Sequence, residues 1–118
     1  MPDVYLNIVD LTVAPSVVEM GAGVRVDWKV ENNAGTLVAP TGTMRIRVAD
    51  QRGAEILALT ATGVSTSATG IYFYLLKNST LVGSLLPGRL TVYLEAAEVA
   101  STEIYKAKTH FWIKRGSD

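Results

Sequence analysis

Apolar and polar residues alternate with a period of two along much of the chain. The clearest example is "VRVDWKVE" (Val24–Glu31), in which valines and Trp28 occupy one side while charged residues occupy the other. Alternation of this kind is typical of a β-strand with one face buried and one face in water. The segment therefore predicts a half-buried strand with Trp28 in the core.

The same alternation recurs in other segments, which are separated by turn signals rich in glycine, proline and asparagine. The predicted inward rows are Met44, Ile46 and Val48, then Leu90, Val92 and Leu94, then Tyr105, Ala107, Thr109, Phe111 and Ile113. An earlier strand ends at Ala14, and Pro15 indicates an edge position or a switch between sheets. About seven short strands at this spacing predict an all-β fold, an antiparallel two-sheet sandwich.

Two segments interrupt the strand pattern. The run "GVSTSATG" (residues 63–70) predicts a loop, because it lacks apolar alternation. The run "EAAEVASTEI" (residues 95–104) is rich in helix formers, so a single helical turn competes there with strand. One domain is expected over residues 1–118, with a disordered tail at residues 115–118.

The segment "GIYFYLL" (residues 70–76) is apolar on both faces. We predict that Ile71, Phe73 and Leu75 point inward and that the alternate residues point outward. The outward aromatic residues of this and later strands form a candidate contact surface, comprising Tyr72, Tyr74, Tyr93 and Trp112. Aromatic residues are enriched at protein interfaces. The alternatives are that loops cover these rings or that the inward assignment is reversed on one strand.

Composition and charge limit the possible partners. The 118 residues include 11 basic and 11 acidic side chains, so the formal net charge is zero. This balance argues against nucleic acid as a partner, because neutralising phosphates requires a net basic face. It favours a subunit that assembles with other copies.

The absence of cysteine removes disulfides, zinc–thiolate sites and thiol nucleophiles. No signal peptide or membrane-spanning run is present, so a cytosolic location without a membrane partner is expected unless a leader was removed.

The residue inventory predicts neither catalysis nor a cofactor. His110 is the only histidine, no GxSxG turn is present, and the face that His110 shares with lysines is typical of a solvated sheet. Asp50 and Gly53 superficially resemble a calcium loop, but Arg52 stands where a further acidic ligand is needed, which favours a plain turn.

Three other candidate sites have simpler structural interpretations. Glu95, Glu98 and Glu103 have the spacing of a solvated helical turn rather than a metal site. Residues 78–80 match the N-glycosylation pattern but are interpreted as a loop. A basic strip that could bind single-stranded nucleic acid would comprise Lys106, Lys108, Trp112, Lys114 and Arg115. A strand edge protected by lysines is the preferred interpretation of that strip.

Three stretches resemble known modules. "DLTVAPSVVEMGAGVRVDWKVENNAG" (residues 10–35) resembles the opening of bacterial immunoglobulin-like adhesion modules of the CARDB type. "LLPGRLTVYLEA" (residues 85–96) is similar to a corner in many immunoglobulin-like and macroglobulin-like sandwiches, with Leu90 replacing the usual aromatic residue. "ADQRGAEIL" followed by "TGIYFYLL" resembles immunoglobulin-like accessory domains of tailed-phage virion and baseplate proteins. These resemblances imply an immunoglobulin-like sandwich.

Two functions follow as expectations. The first is a non-enzymatic structural protein, a tailed-phage virion accessory protein of the capsid, connector or tail. It would assemble in the host cytoplasm with copies of itself or with virion structural proteins. The alternative is a bacterial adhesion or carbohydrate-binding module, at the cell surface or secreted, whose exposed aromatic rings stack on sugars.

Overall fold

Nine β-strands form the regular structure of the described residues. The computed structural model describes residues 6–14, 17–19, 23–40, 42–77, 88–97 and 104–114. The strands are β1 (Asn7–Ala14), β2 (Val17–Glu19), β3 (Val24–Glu31), β4 (Met44–Asp50), β5 (Glu55–Thr60), β6 (Ser65–Ala68), β7 (Ile71–Leu76), β8 (Gly88–Ala97) and β9 (Ile104–Lys114). The described residues include no helix that could cross a membrane.

The strands form two sheets. One has four strands in the order β1-β3-β7-β6, and the other has five in the order β2-β9-β8-β4-β5. The four-stranded order corresponds to the ABED sheet of immunoglobulin domains, and the β9-β8-β4 order to their GFC sheet. Strand β2 pairs with β9 in parallel, whereas the other paired strands run antiparallel. The predicted immunoglobulin-like β-sandwich is therefore confirmed.

The chain changes sheets between Ala14 and Val17. Strand β1 pairs with β3 in the four-stranded sheet, whereas β2 pairs with β9 in the five-stranded sheet. The sequence predicted an edge position or a switch between sheets here. The flanking strands occupy edges of different sheets, and Pro15 itself lies outside the described residues.

The strand count differs from the prediction because two short strands lack a strong pattern. The prediction of about seven strands omitted β2 and β6. The predicted loop at residues 63–70 was wrong in part, since β6 lies within it and pairs with β7 through Ser65–Phe73 and Thr66–Tyr72. Strand β6 has four residues, all small or polar, so no hydrophobic alternation marks it.

The segment that competed as a helical turn is strand at both of its ends. Residues up to Ala97 belong to β8, and Ile104 begins β9. The intervening residues 98–103 and the predicted tail at residues 115–118 lie outside the described residues.

The core lies between the sheets and confirms most of the predicted inward rows. Trp28, Ile46, Val92 and Phe111 are fully buried. The indole of Trp28 stacks on Tyr72, with ring centroids 5.9 Å apart and an interplanar angle of 14°. The predicted faces of β3, β4 and β8 are confirmed by their burial, and β9 follows its predicted alternation through Trp112.

The predicted face of β7 was wrong. Tyr72 and Leu76 are buried, whereas Leu75 is exposed. The pairing register explains the reversal: Trp28 pairs with Tyr72, and Val24 pairs with Leu76. Directly paired residues on neighbouring strands point to the same side of a sheet. Because β3 has an unambiguous apolar face, its register with β7 fixes which row of β7 enters the core.

Candidate functional site

The four predicted contact aromatics divide between the interior and one outer face. Tyr72 is 7% exposed and belongs to the core. Tyr74 also packs against the core, and a Cβ built on Gly63 would lie 3.0 Å from its ring, so the 61–64 turn covers it closely. Neither tyrosine therefore lies on the outer face of its sheet, where the sequence analysis had placed both. Tyr93 and Trp112 lie on the outer face of the five-stranded sheet, as predicted.

The outer face formed by β4, β8 and β9 consists of cross-strand rows. One row joins Arg45, Glu95 and Lys106, and the next joins Arg47, Tyr93 and Lys108. Thr91 pairs with His110, and Arg89 pairs with Trp112. We call this surface the basic face; it comprises Arg45, Arg47, Arg89, Thr91, Tyr93, Glu95, Lys106, Lys108, His110 and Trp112.

The predicted aromatic row is not continuous on the basic face. Trp112 pairs with Arg89, and Tyr93 lies four residues further along β8 than Arg89. Four residues of strand span about 13 Å. The row of Thr91 and His110 lies between the two rings. The two aromatic residues therefore provide two separate points of contact, and Trp112 is the more accessible, with 51% of its surface exposed.

Arg47 and Tyr93 form the centre of the basic face. The guanidinium carbon of Arg47 lies 4.9 Å from the centroid of the Tyr93 ring. Such cation–π contacts hold a guanidinium flat over a ring. The Nε atom of Arg47 lies 3.8 Å from a carboxylate oxygen of Glu55, which is beyond hydrogen-bond distance. This ion pair therefore does not saturate the guanidinium donors.

The neighbouring row contains the carboxylate of the basic face. Arg45 Nη2 donates a hydrogen bond of 3.3 Å to Glu95 Oε1, and the Glu95 side chain is only 19% exposed. Glu95 is thus neutralised from the β4 side. Among the described residues, neither Lys106 nor Lys108 takes part in an ion pair.

An open groove runs between these two rows. Its volume is about 530 Å³, and it is lined by Arg47, Tyr93, Leu94, Glu95, Lys106, Ala107 and Lys108. The lining contains three cationic side chains and one carboxylate. Since that carboxylate already pairs with Arg45, the groove presents mainly positive charge around an aromatic ring.

Among the described residues, the other candidate side chains are not grouped into a metal site. His110 Nδ1 lies 3.1 Å from Thr91 Oγ1 on the same face. The described residues contain no group of three or more His, Cys, Asp or Glu side chains placed to hold a metal ion. Glu98, Glu103, residues 78–80 and Arg115 lie outside the described residues.

Asp50 stabilises a turn, as the sequence analysis preferred. Its Oδ1 accepts hydrogen bonds from the backbone N–H groups of Arg52 and Ala54, at 2.9 and 3.0 Å. The Arg52 side chain donates to Oδ2 at 2.9 Å. These hydrogen bonds, chiefly that of the Arg52 side chain, lower the pKa of the Asp50 carboxyl below its ordinary value of 3.8.

Comparisons with known proteins support the fold. No protein-family model matches the sequence, and no curated protein matches it. The endo-beta-1,4-mannanase from Thermotoga petrophila is similar over 98% of this chain and 20% of its own, with a TM-score of 0.60 and 12% identity. A DUF4785 family protein from Legionella pneumophila is similar over 95% of this chain and 28% of its own, with a TM-score of 0.51 and 11% identity.

These similarities extend to the β-sandwich and no further. The chain spans 20% of the mannanase chain and 28% of the Legionella chain. At such low identity the likeness concerns the fold alone. The resemblances to CARDB-type modules and to phage accessory domains remain predictions.

Alternation in the sequence predicts that most side chains of the basic face point outward, but it does not predict that they are neighbours. The outward directions of Arg45, Arg47, Lys106 and Lys108 follow from alternation within each strand. Their proximity depends on the order β9-β8-β4, which alternation does not encode. The sequence feature that could have indicated this surface is the recurrence of cations at every second position in both "MRIRV" and "YKAK".

Proposed function

We propose that the chain is a non-enzymatic structural module that acts through protein–protein contacts made by its basic face. The observation that carries this proposal is the half-exposed indole of Trp112. Strands β8 and β9 pair without a register shift from Gly88–Ile113 to Ala97–Ile104, so this indole projects from a regularly paired part of the sheet. Tryptophan and arginine are enriched at interfaces and among the residues that dominate binding energy.

The proposed setting is a tailed-phage virion, where the module would be an accessory protein of the capsid, connector or tail. This setting rests on the resemblance of the central strands to virion accessory domains. Its partners would be virion structural proteins or further copies of the chain. Virion genes cluster, so neighbouring genes for a terminase, portal or tail protein are expected. Detection of the chain in purified particles would support the setting, and its absence from them would count against it.

Site-specific photocrosslinking tests the proposed contact surface. A photoreactive phenylalanine analogue at position 112 should give discrete adducts in the native host. The same analogue at position 75 is a matched control, because Leu75 is 52% exposed on the opposite sheet. Mass spectrometry then identifies whether each adduct contains a second copy or a different structural protein. Equal adducts from both positions, or none from position 112, would contradict the proposal.

Carbohydrate binding is a second candidate, favoured by the same exposed ring. Trp112 offers an accessible indole face, and Tyr93 lies in a groove lined by charged hydrogen-bonding side chains. Sugars stack on aromatic faces while polar neighbours bind their hydroxyl groups. A glycan array separates this candidate from the first one. Specific sugar binding that Trp112→Ala abolishes and Leu75→Ala preserves would favour it over protein contact.

A further inference from the structure

We infer that the basic face recognises an extended acidic segment of a partner protein, with carboxylates at alternate positions. This inference rests on the proposed function, because it assumes that the basic face is the contact surface. It adds the chemistry of the partner and the residues that select it. The central elements are the groove around Tyr93 and the cations Arg47, Lys106 and Lys108.

The basic face carries a local excess of positive charge. The whole chain has no net charge, with 11 basic and 11 acidic residues. On the outer face of the four-stranded sheet, Arg25 pairs with Asp27 at 3.0 Å and Lys29 pairs with Asp10 at 3.4 Å. On the basic face, Lys106 and Lys108 have no ion pair within the described residues, and Arg47 has only its longer pair with Glu55, at 3.8 Å. Complementary charge on a partner would steer association and fix its orientation.

The spacing of the cations matches an extended segment with a charge at every second residue. Lys106 and Lys108 lie on the same face of β9, two residues apart. Residues at alternate positions of a strand point the same way and lie about 7 Å apart. An extended segment lying along β9 with carboxylates at every second position therefore matches this spacing. A carboxylate over the next row would meet the guanidinium of Arg47, whose planar donors favour bidentate pairing.

The arrangement of rings and charges on the basic face favours an acidic protein segment over nucleic acid. Binding of single strands uses successive aromatic rings on which neighbouring bases stack. The two large rings among the described side chains of the basic face, Tyr93 and Trp112, lie about 13 Å apart along the strands, too far for neighbouring bases to stack on both. Glu95 occupies one position of the groove lining, so the cations do not form a continuous line for a phosphate backbone. In an acidic protein segment, the carboxylates can face the cations of the groove while the apolar or hydroxyl side chains between them face Glu95.

The inference is tested with a synthetic peptide of alternating glutamate and threonine, blocked at both ends. Its glutamine–threonine counterpart has the same length and no charge. Binding is followed through calorimetry at low and at physiological salt, and through the intrinsic fluorescence of the two tryptophans, of which Trp112 is exposed and Trp28 is buried. We expect the acidic peptide to bind more tightly than the neutral one. We expect this advantage to fall with added salt, because exposed charges are screened.

Single substitutions then locate the recognition. Arg47→Gln and Lys108→Gln should each weaken binding of the acidic peptide by about twofold to fivefold, as expected for exposed ion pairs. The double variant Lys106→Gln/Lys108→Gln should weaken it further. Arg25→Gln is the matched control, since Arg25 also lies over an aromatic ring but on the opposite outer face. Circular dichroism confirms that each variant is folded.

Several outcomes would overturn the inference. These are equal binding of both peptides, an equal loss in Arg25→Gln, or tighter binding of a heparin fragment or of single-stranded oligothymidine than of the acidic peptide. The photocrosslinking experiment distinguishes the two proposals. Adducts at position 112 without acidic-peptide binding would leave the contact surface standing and reject the acidic partner. Acidic-peptide binding without adducts at position 112 would reject Trp112 as a contact residue and leave recognition of an acidic segment by the groove standing.

Discussion

The two outer faces of the sandwich contain the same local arrangement in different electrostatic surroundings. On the four-stranded sheet, the Arg25 guanidinium lies 4.2 Å from the centroid of the Phe73 ring. Its Nε also donates to both carboxylate oxygens of Asp27, at 3.0 and 3.1 Å. On the five-stranded sheet, Arg47 lies over Tyr93, and its ion pair with Glu55 is longer, at 3.8 Å. The arginine over a ring therefore donates close hydrogen bonds to a carboxylate on one face and has only a longer ion pair on the other.

The second apolar face of β7 is covered in part by the arginine of the neighbouring strand. Ile71 and Phe73 are partly buried although they point outward, and Leu75 is 52% exposed. Phe73 lies beneath the guanidinium of Arg25, and arginine side chains cover apolar surface with their stems while the charged end stays in water. This outer row is therefore partly covered from β3, its own neighbour in the sheet.

The largest predicted effect on stability concerns two neighbouring residues of β7, one in the interior and one on the outer face. Tyr72→Ala should lower the free energy of unfolding by about 3–5 kcal/mol, because a buried ring that stacks on Trp28 is lost. Phe73→Ala should cost about 1 kcal/mol, since its ring is only partly buried and interacts chiefly with Arg25. Urea denaturation measures both. A larger loss for Phe73→Ala would restore the orientation predicted from the sequence and contradict the observed register.

These two residues also show what the sequence could and could not determine about the fold. Alternation fixed the faces of β3 and β8 because one row of each strand is polar. In β7 both rows are apolar, so only its register with β3 decides that Tyr72 is inside. For the candidate site, the outward positions of Tyr93 and Trp112 were predictable. The groove was not, because it depends on three strands being neighbours.

A smaller effect is expected from ionisation of Tyr72 at alkaline pH. Burial raises the pKa of Tyr72 above its ordinary value of 10.0, whereas the unfolded chain retains the ordinary value. Above pH 10 the unfolded state therefore loses this proton more readily than the folded state, and ionisation favours unfolding. The contribution to stability is complete below pH 10 and is lost as the pH rises through the folded-state pKa.

The measurement compares urea denaturation at neutral pH and above pH 10 for wild type and Tyr72→Phe. The variant should lose less stability on alkalinisation, since it lacks the buried hydroxyl. Tyr93→Phe is the control for removing a hydroxyl from the outer face, and it should retain the decline due to Tyr72. Identical alkaline declines in wild type and Tyr72→Phe would show that Tyr72 is not the group responsible.

The two arginine–aromatic pairs should differ in coupling energy. Double-mutant cycles for Arg25 with Phe73 and for Arg47 with Tyr93 should each give a coupling of about 0.5–1 kcal/mol. We expect the first to be larger, because its guanidinium is closer to the ring and its Nε–H donates to both carboxylate oxygens of Asp27. The reverse order would indicate that Asp27 withdraws the guanidinium from Phe73, and the two faces would then differ in geometry as well as in charge.

The smallest stability effect is expected at the exposed apolar residues of the two faces. Trp112→Ser and Leu75→Ser should each change the free energy of unfolding by no more than about 0.5 kcal/mol, because roughly half of each side chain is already in water. Size-exclusion chromatography with light scattering at micromolar concentration then tests self-association independently of folding. If the basic face binds a second copy, Trp112→Ser should shift the protein toward monomer and Leu75→Ser should not. If wild type is already monomeric, contact through Trp112 is with a different protein. A large loss of stability in Trp112→Ser would mean that the indole packs against its own chain, and the basic face would then lose its main contact residue.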